Sequence, residues 1–389
     1  MSTSPAPSPR PKLSEVALFY LRLGTTAFGG PAAHIAMMEH ELVRRRSWLS
    51  REQFLDYLGI VNLIPGPSST ELAIQIGYSI CGWPGLLIGG ICFILPAALL
   101  TLTLAWVYVR YGALPTAAAL FYGIKPVIIA IVLQAIWRLG RTAIKSGLLA
   151  AVALLALLAA AWGVNVLAVL LGAGVLVVLV DRVTRRAALA NLAMQHWISK
   201  VSFTGITGAI GGSVGAAFSL SALFLLFLKV GAVLFGSGYV LLAFLRHDLV
   251  VRLHWMTDAQ LLDAIAVGQM TPGPVFTTAT FVGYVLGKLP GAALATLGIF
   301  LPSFVFIAII GRVRGYLRGS KLLGGFLDGV NAGALALMAV VTFQLGRAAL
   351  TDSVTWALAV VSLIVLFRFK FNSAVLVIAG ALIGLITSR

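Results

Sequence analysis

QFLDYLGIVNLIPGPSST runs from Gln53 to Thr70, and QLLDAIAVGQMTPGPVFT runs from Gln260 to Thr277. Set one above the other at a shift of 207, they match Gln53 with Gln260, Asp56 with Asp263, and Pro65-Gly66-Pro67 with Pro272-Gly273-Pro274. Neither proline of the triplet offers an N–H, and the first restricts the residue before it, so an apolar helix stops there. The run before the break, Gln53–Ile64 or Ala259–Thr271, is roughly 18 Å of helix, about half the hydrocarbon thickness of a bilayer. Hydroxyl residues follow, Ser68, Ser69 and Thr70 in one copy and Thr277 and Thr278 in the other. These are good N-caps for a second short helix. The same membrane-depth interruption therefore occurs twice.

Outward from these breaks the register holds. Ser14 meets Ser221, Arg22 meets Lys229, Phe28-Gly29 meets Phe235-Gly236, His40-Glu41 meets His247-Asp248, and Trp48 meets Trp255. After one deletion the shift becomes 206, pairing Gly77-Tyr78 with Gly283-Tyr284, Leu95-Pro96 with Leu301-Pro302, and Gly123 with Gly329. Chance likeness between apolar helices would match Leu and Ala, not Trp, Gln, Asp and Pro-Gly-Pro. The expected organisation is a disordered tail 1–12, a first repeat 13–186, a Gly-rich and membrane-associated linker 187–219, and a second repeat 220–389. Each repeat is expected to hold a first helix, Leu13–Phe28 or Ser221–Phe235, then a polar connection with His40-Glu41 or His247-Asp248 in loops. The broken pair and three or four longer helices follow. The fold class is all-α polytopic membrane protein.

Composition agrees. Hydrophobic residues make up 60% of the 389 and charged ones 10%, against about a quarter charged in a soluble domain. The stretch Gly147–Val180 holds no Asp, Glu, Lys or Arg. The net charge of +16 comes from basic residues at the ends of apolar segments, such as Arg44, Arg45, Arg46, Arg182, Arg185 and Arg186. That is the pattern of topology-setting loops and not of a nucleic-acid surface. Cys81 and Cys92 make neither a disulfide framework nor a zinc site, and the five histidines have no ligand spacing. No catalytic Ser/His/Asp set, P-loop or dinucleotide fingerprint is present, so neither an enzyme, an ATP-driven pump nor a cofactor-dependent protein is expected.

Matching loops alternate in basic charge. Glu39–Glu52 has four Arg against two in Arg246–Asp258; Arg110 then stands against Arg312, Arg314, Arg318 and Lys321; Arg138, Arg141 and Lys145 stand against Arg347. Because cytoplasmic loops carry the excess of Lys and Arg, the halves are expected to be inserted upside down relative to each other, as in secondary carriers. Arg10 and Lys12 fit this only if Phe28-Gly29-Gly30-Pro31 returns the first helix and the segment 203–218 supplies a compensating crossing.

Broken backbone at membrane depth belongs beside a watery cavity, and a half-helix N-terminus carries about +0.5 charge suited to an anion. The expected substrate site therefore comprises Pro65, Gly66, Pro67, Ser68 and Ser69 with Pro272, Gly273, Pro274 and Thr277. Two such turns facing each other across a pseudo-two-fold axis would hold a tetrahedral dianion. Phe28, Gly29, Gly30, Phe235 and Gly236 flank them. Arg22 and Lys229 supply cations, as does Lys125 more weakly; snorkelling is the rival reading for the equivalent pair. Asp56, Glu71 and Asp263 are the proton-coupling candidates, and Asp56 and Asp263 could instead pair with Arg22 and Lys229. A metal is not expected.

The strings Phe28-Gly29-Gly30-Pro31, Ala33-His34-Ile35, Trp48, Phe54 and Pro65-Gly66-Pro67, with Phe235-Gly236-Ser237-Gly238 and Pro272-Gly273-Pro274 later, resemble the chromate transporter family in its duplicated long-chain form. That resemblance implies chromate efflux giving resistance, driven by the proton motive force in a bacterial inner membrane, with sulfate as an analogous anion. An uptake carrier for sulfate or another inorganic anion and an anion channel are the alternatives. A monomer could suffice, with a homodimer left open. The second half departs from the pattern in lacking the proline of Phe-Gly-Gly-Pro and the equivalent of His34, which is Leu241.

Overall fold

The short helices flanking each Pro-Gly-Pro are present in the computed structural model, which describes residues 11–112, 114–190, 218–235, 238–317, 321–369 and 373–387. The expected tail (save residues 11 and 12), the segment 203–217 and most of the linker lie outside these. The first half comprises α1 (Leu13–Thr26), α2 (Gly30–Glu39), α3 (Arg51–Val61), α4 (Ser68–Tyr111), α5 (Pro115–Ala143), α6 (Gly147–Ala161) and α7 (Val166–Ala190). The second comprises α8 (Leu220–Val233), α9 (Leu241–Leu245), α10 (Asp258–Met270), α11 (Thr278–Leu317), α12 (Lys321–Ala349), α13 (Ser353–Phe369) and α14 (Ser373–Thr387). No strand occurs among the described residues. Five segments are long and apolar enough to cross a membrane, lying within α4, α5, α7, α11 (with the turn before it) and α12.

The connection after the first helix is itself helical, which corrects the sequence expectation. Gly29 and Gly30, with φ of 105° and 74°, reverse the chain after α1. The returning α2 brings Trp48 edge-on to Phe19 at 6.3 Å. His40-Glu41 and His247-Asp248 lie in π-helical turns, His40–Arg45 and Arg246–Arg252, not loops. Periodicity missed α2 because its apolar residues form no one-sided stripe in sequence; the face it lays on the core carries His34 beside Met38, while Ala32 and Ala36 stay exposed.

Helix α4 is a hairpin. The chain reverses at Gly82, so that the arm 68–81 packs against the arm 83–111, with Gly77 on Gly85 and Ala73 on Gly89. Helix α11 reverses likewise at Gly287–Lys288, and Thr280 meets Thr296 at 2.7 Å across the fold. Each Pro-Gly-Pro therefore joins two short helices, α3 to the first arm of α4 and α10 to the first arm of α11.

The halves interlock. The last helix of each packs on the long helix of the other, α14 on α5 and α7 on α12. Glycine permits both contacts: a β-carbon on Gly123 would collide with the Gly380 carbonyl, and one on Gly329 with the Ala173 carbonyl. In lipid such close approach of backbones is what drives helix association.

Equivalent helices α5 and α12 also run antiparallel. Lys145, just past the end of α5, bridges Asp328 near the start of α12 at 3.1 Å. Tyr122, near the start of α5, donates to Asp352 just past the end of α12 at 2.8 Å. Two equivalent spanning helices pointing in opposite directions require a two-fold axis perpendicular to them, so the repeats are inverted.

Candidate functional site

The two Pro-Gly-Pro turns use their amides on each other's halves. The Gly66 N–H donates to the Leu234 carbonyl at 2.7 Å, and the Gly273 N–H donates to the Ala27 carbonyl at 2.9 Å. Ala27 and Leu234 are equivalent, each capping the first helix of its half. Since proline has no N–H, these are the triplets' only amides, and both are engaged. The expectation of bare triplet donors facing an anion is corrected on this point. What remains free is the next turn: the Thr70 and Glu71 amides bond to the Pro67 carbonyl, while those of Ser68 and Ser69 find no backbone acceptor among the described residues.

The turns also differ in surroundings, so the expected pair of anion-facing turns is not what forms. Pro272, Gly273 and Pro274 are buried, and a β-carbon on Gly273 would press on Ala97 and the Gly24 carbonyl. Phe276 fills the place of Ser69, and Thr277 is turned inward to the Pro274 carbonyl and Thr101. The first turn instead adjoins a cavity of about 560 Å³. Gly29 and Pro31 at the α1–α2 break, Asn62 and Ile64 before the turn, Ser68 after it, and Phe235 form one wall. Helices α5 and α12 form the other, with Gln134, Arg138, Lys145, Asp328 and Asn331. Two cations stand against one carboxylate there, and Asp328 is already bridged to Lys145. Arg138 has no ionic partner among the described residues. Phe28 is exposed beside the break, and Gly236 lies outside the described residues.

Arg22 and Lys229 do not line this cavity. Arg22 is exposed on α1. Lys229 is bridged to the buried Asp248, which also takes Arg252 at 3.0 Å. Asp263 is thus not its partner, contrary to one expectation. In the first half the equivalent acid, Glu41, takes Arg45 and Arg46 instead. The counterpart of Arg46 is Leu253, so Lys229 replaces a cation the second half lacks. Lys229→Ala is expected to lower the thermal midpoint in detergent, at a cost of roughly 1 kcal/mol for a half-exposed cation on a buried acid that keeps Arg252. Arg22→Ala is expected to leave the midpoint unchanged.

Behind the first turn lies a buried polar cluster. Glu71 is fully buried and accepts from the Ser303 hydroxyl at 3.4 Å. A β-carbon on Gly66 would strike its carboxylate. His34, also buried, reaches Ser69 at 3.2 Å and the Ala27 carbonyl at 3.1 Å. Tyr20 Oη, Thr70 Oγ1, Glu71 Oε2 and Gln75 Oε1 are buried without a hydrogen-bond partner among the described residues. Buried polar atoms are nearly always paired, so these orphans, three of them within the first turns of α4, set this cluster apart from the rest of the described core. The second half carries Leu241, Phe276 and Thr278 at the counterparts of His34, Ser69 and Glu71. The cluster belongs to one half alone.

Asp56 is half-buried on α3. Its equivalent Asp263 is buried, 3.2 Å from the Lys125 ammonium, and accepts from the Tyr108 hydroxyl at 3.0 Å. These three residues line a second cavity of about 350 Å³. Sequence reading missed Arg138, Lys145 and Tyr108 as site residues. The first two carry the same signal as loop charges, and only the crossing of α5 with α12 separates lining from loop.

A family model described as "Chromate transporter" matches the chain twice, over residues 14–178 and 221–385. The chain is 32% identical to the chromate transport protein of Cupriavidus metallidurans, covering 97% of this chain and 94% of that one. It is also 32% identical to the chromate transport protein of Pseudomonas aeruginosa, covering 96% and 92%. An uncharacterized transporter of Methanocaldococcus jannaschii is 27% identical, covering 96% and 94%. No solved structure matches. Two matches of one family model at the spacing of the internal repeat, with near full-length relatives, place this multi-pass helical membrane protein in the chromate transporter family.

Proposed function

We propose that the chain is a secondary carrier that exports chromate across the cytoplasmic membrane of a bacterium at the expense of the proton gradient, and so confers resistance. The observation that carries this reading is the 560 Å³ cavity at the first Pro-Gly-Pro turn, where two chain breaks meet Arg138 and Lys145. A share of about 30 Å³ per water leaves room for a partly hydrated oxyanion. The free amides opening α4 and the positive end of that helix suit a dianion, and Arg138 matches its oxygens in a planar fork. Glu71, next to the turn yet outside the cavity wall, is the proton carrier in this scheme. A lone buried carboxylate costs several kcal/mol, and a proton removes that cost.

Everted vesicles test the whole reading. Chromate uptake is expected to saturate, to depend on an imposed pH gradient, and to be competed by sulfate. Flux that neither saturates nor responds to the gradient would identify an anion channel instead. Arg138→Ala is expected to raise the half-saturating chromate concentration about tenfold, the equivalent of 1.4 kcal/mol. Arg138→Lys, which keeps charge and loses the fork, falls between. An unchanged half-saturation in Arg138→Ala would take the substrate out of this cavity.

A further inference from the structure

The two cavities share equivalent stretches of α5 and α12 under the internal symmetry, although the Pro-Gly-Pro break lines only the larger. At a shift of 206, Phe121, Tyr122 and Lys125 of the smaller cavity fall on Leu327, Asp328 and Asn331 of the larger. In return Ala348, Ala349 and Thr351 fall on Thr142, Ala143 and Lys145. Each is clasped at the equivalent position on its helix, Tyr122 to Asp352 at the smaller and Asp328 to Lys145 at the larger. From Tyr122 to Lys145 along α5 is about 35 Å at the rise of an α-helix, slightly more than the hydrocarbon thickness. The cavities therefore open toward opposite faces of the membrane.

We propose that the smaller cavity is a second oxyanion-binding vestibule, on the opposite membrane face, with Lys125 as its anion ligand. This rests on the larger cavity being the vestibule of the first face. Lys125 is a cation one turn from Tyr122, only one-fifth exposed, and aimed into a polar-walled space of about 350 Å³. Asp263 occupies its ammonium in the unloaded state, and the Tyr108 hydroxyl holds that carboxylate from the other side. A buried pair of this kind is weak as a source of stability, since desolvation offsets most of the attraction. Its value here is positional: it keeps a charged ammonium in a desolvated seat, where an incoming dianion outcompetes a single carboxylate. Asn331 at the equivalent place in the larger cavity is neutral, and there the charge comes from Arg138 and Lys145. Each vestibule thus has its own cation on α5, one near each end.

The test uses full-length protein with Cys81 and Cys92 replaced by serine and one new cysteine, Ala348→Cys in the smaller cavity or Thr142→Cys at the equivalent place in the larger. An impermeant anionic methanethiosulfonate is applied to right-side-out and to everted vesicles, with sulfate as the ligand because chromate oxidises thiols. The two cysteines are expected to react from opposite faces. Sulfate at about twice its Kd should slow both about threefold. Adding Lys125→Gln should abolish protection at Ala348→Cys alone, and Lys125→Arg should retain it. Since Lys125→Gln leaves Asp263 buried and unpaired, the neutral double variant Lys125→Gln/Asp263→Asn serves as the folded control and should behave the same way. Asp263→Asn alone should tighten protection by removing the competing carboxylate. Reaction of both cysteines from one face, or protection of Ala348→Cys that survives the double variant, overturns the proposal. Loss of protection confined to Thr142→Cys in the parent would instead strike the larger cavity and leave this one standing.

Discussion

Glu71→Gln is expected to remove pH-gradient-driven chromate movement, on the order of a hundredfold as for loss of a proton-transfer group, while the protein still folds. Gln keeps the shape of the side chain and can still accept from Ser303, which now donates to Glu71 at 3.4 Å. It cannot carry a proton across. Removing an ionisable group from a fully buried position also removes the risk of a stranded charge, so the thermal midpoint should hold or rise. Glu71→Ala differs: it opens space beside Gly66 and leaves the Ser303 hydroxyl unpaired, at roughly 1–3 kcal/mol. The measurement is chromate flux in proteoliposomes with and without a pH gradient, beside unfolding in detergent. A Glu71→Gln protein whose flux still follows the gradient would move coupling to Asp263 or Asp56. The neighbours explain why one carboxylate is singled out. Asp263 has the Lys125 ammonium and the Tyr108 hydroxyl, whereas Glu71 is fully buried and has no cation beside it among the described residues.

Gly123→Leu and Gly329→Leu should each prevent recovery of folded protein. A β-carbon at Gly123 would fall on the Gly380 carbonyl and within 2.7 Å of the Gly384 nitrogen; one at Gly329 would lie 2.8 Å from the Gly174 Cα. The neighbours are backbone, so nothing can rotate away. Overpacking costs about 1–3 kcal/mol where side chains yield and more where they cannot, and in lipid no hydrophobic term holds the helices together afterwards. Because these contacts join the last helix of each half to the long helix of the other, separating them undoes the interlock as well as a single pair. Gly172→Leu is the control, since a β-carbon there meets nothing within 4 Å. Fluorescence-detected size-exclusion profiles would show monodisperse control protein beside aggregated variants. A monodisperse, thermally stable Gly123→Leu protein would contradict the packing of α14 on α5.

Much of the architecture was legible because the strongest signals are local. Prolines at Pro65 and Pro67 stop a helix wherever they occur, a long uncharged run needs lipid, and a repeat in register needs no structure to be seen. Loop charges indicated inversion, which the antiparallel α5 and α12 bear out. Helix α2 escaped because its sidedness depends on neighbours. Lys125 looked the weakest of the three candidate cations for want of a basic counterpart, and only the meeting of α5 with α10 shows what it faces.

The chain alone determined an all-helical, duplicated, inverted membrane protein with paired breaks, because proline chemistry, hydropathy and charge bias act over a few residues. The folded molecule decided which break is open. Two turns with the same Pro-Gly-Pro and the same amide bond to the opposite half became the wall of a cavity at Ser68 and a sealed joint at Phe276. It also decided that Arg138 is a wall residue and Lys229 a partner of Asp248. A side chain's charge is written in the sequence, whereas what surrounds that charge, and hence whether it meets water, lipid, an acid or a cargo, is set by helices hundreds of residues away.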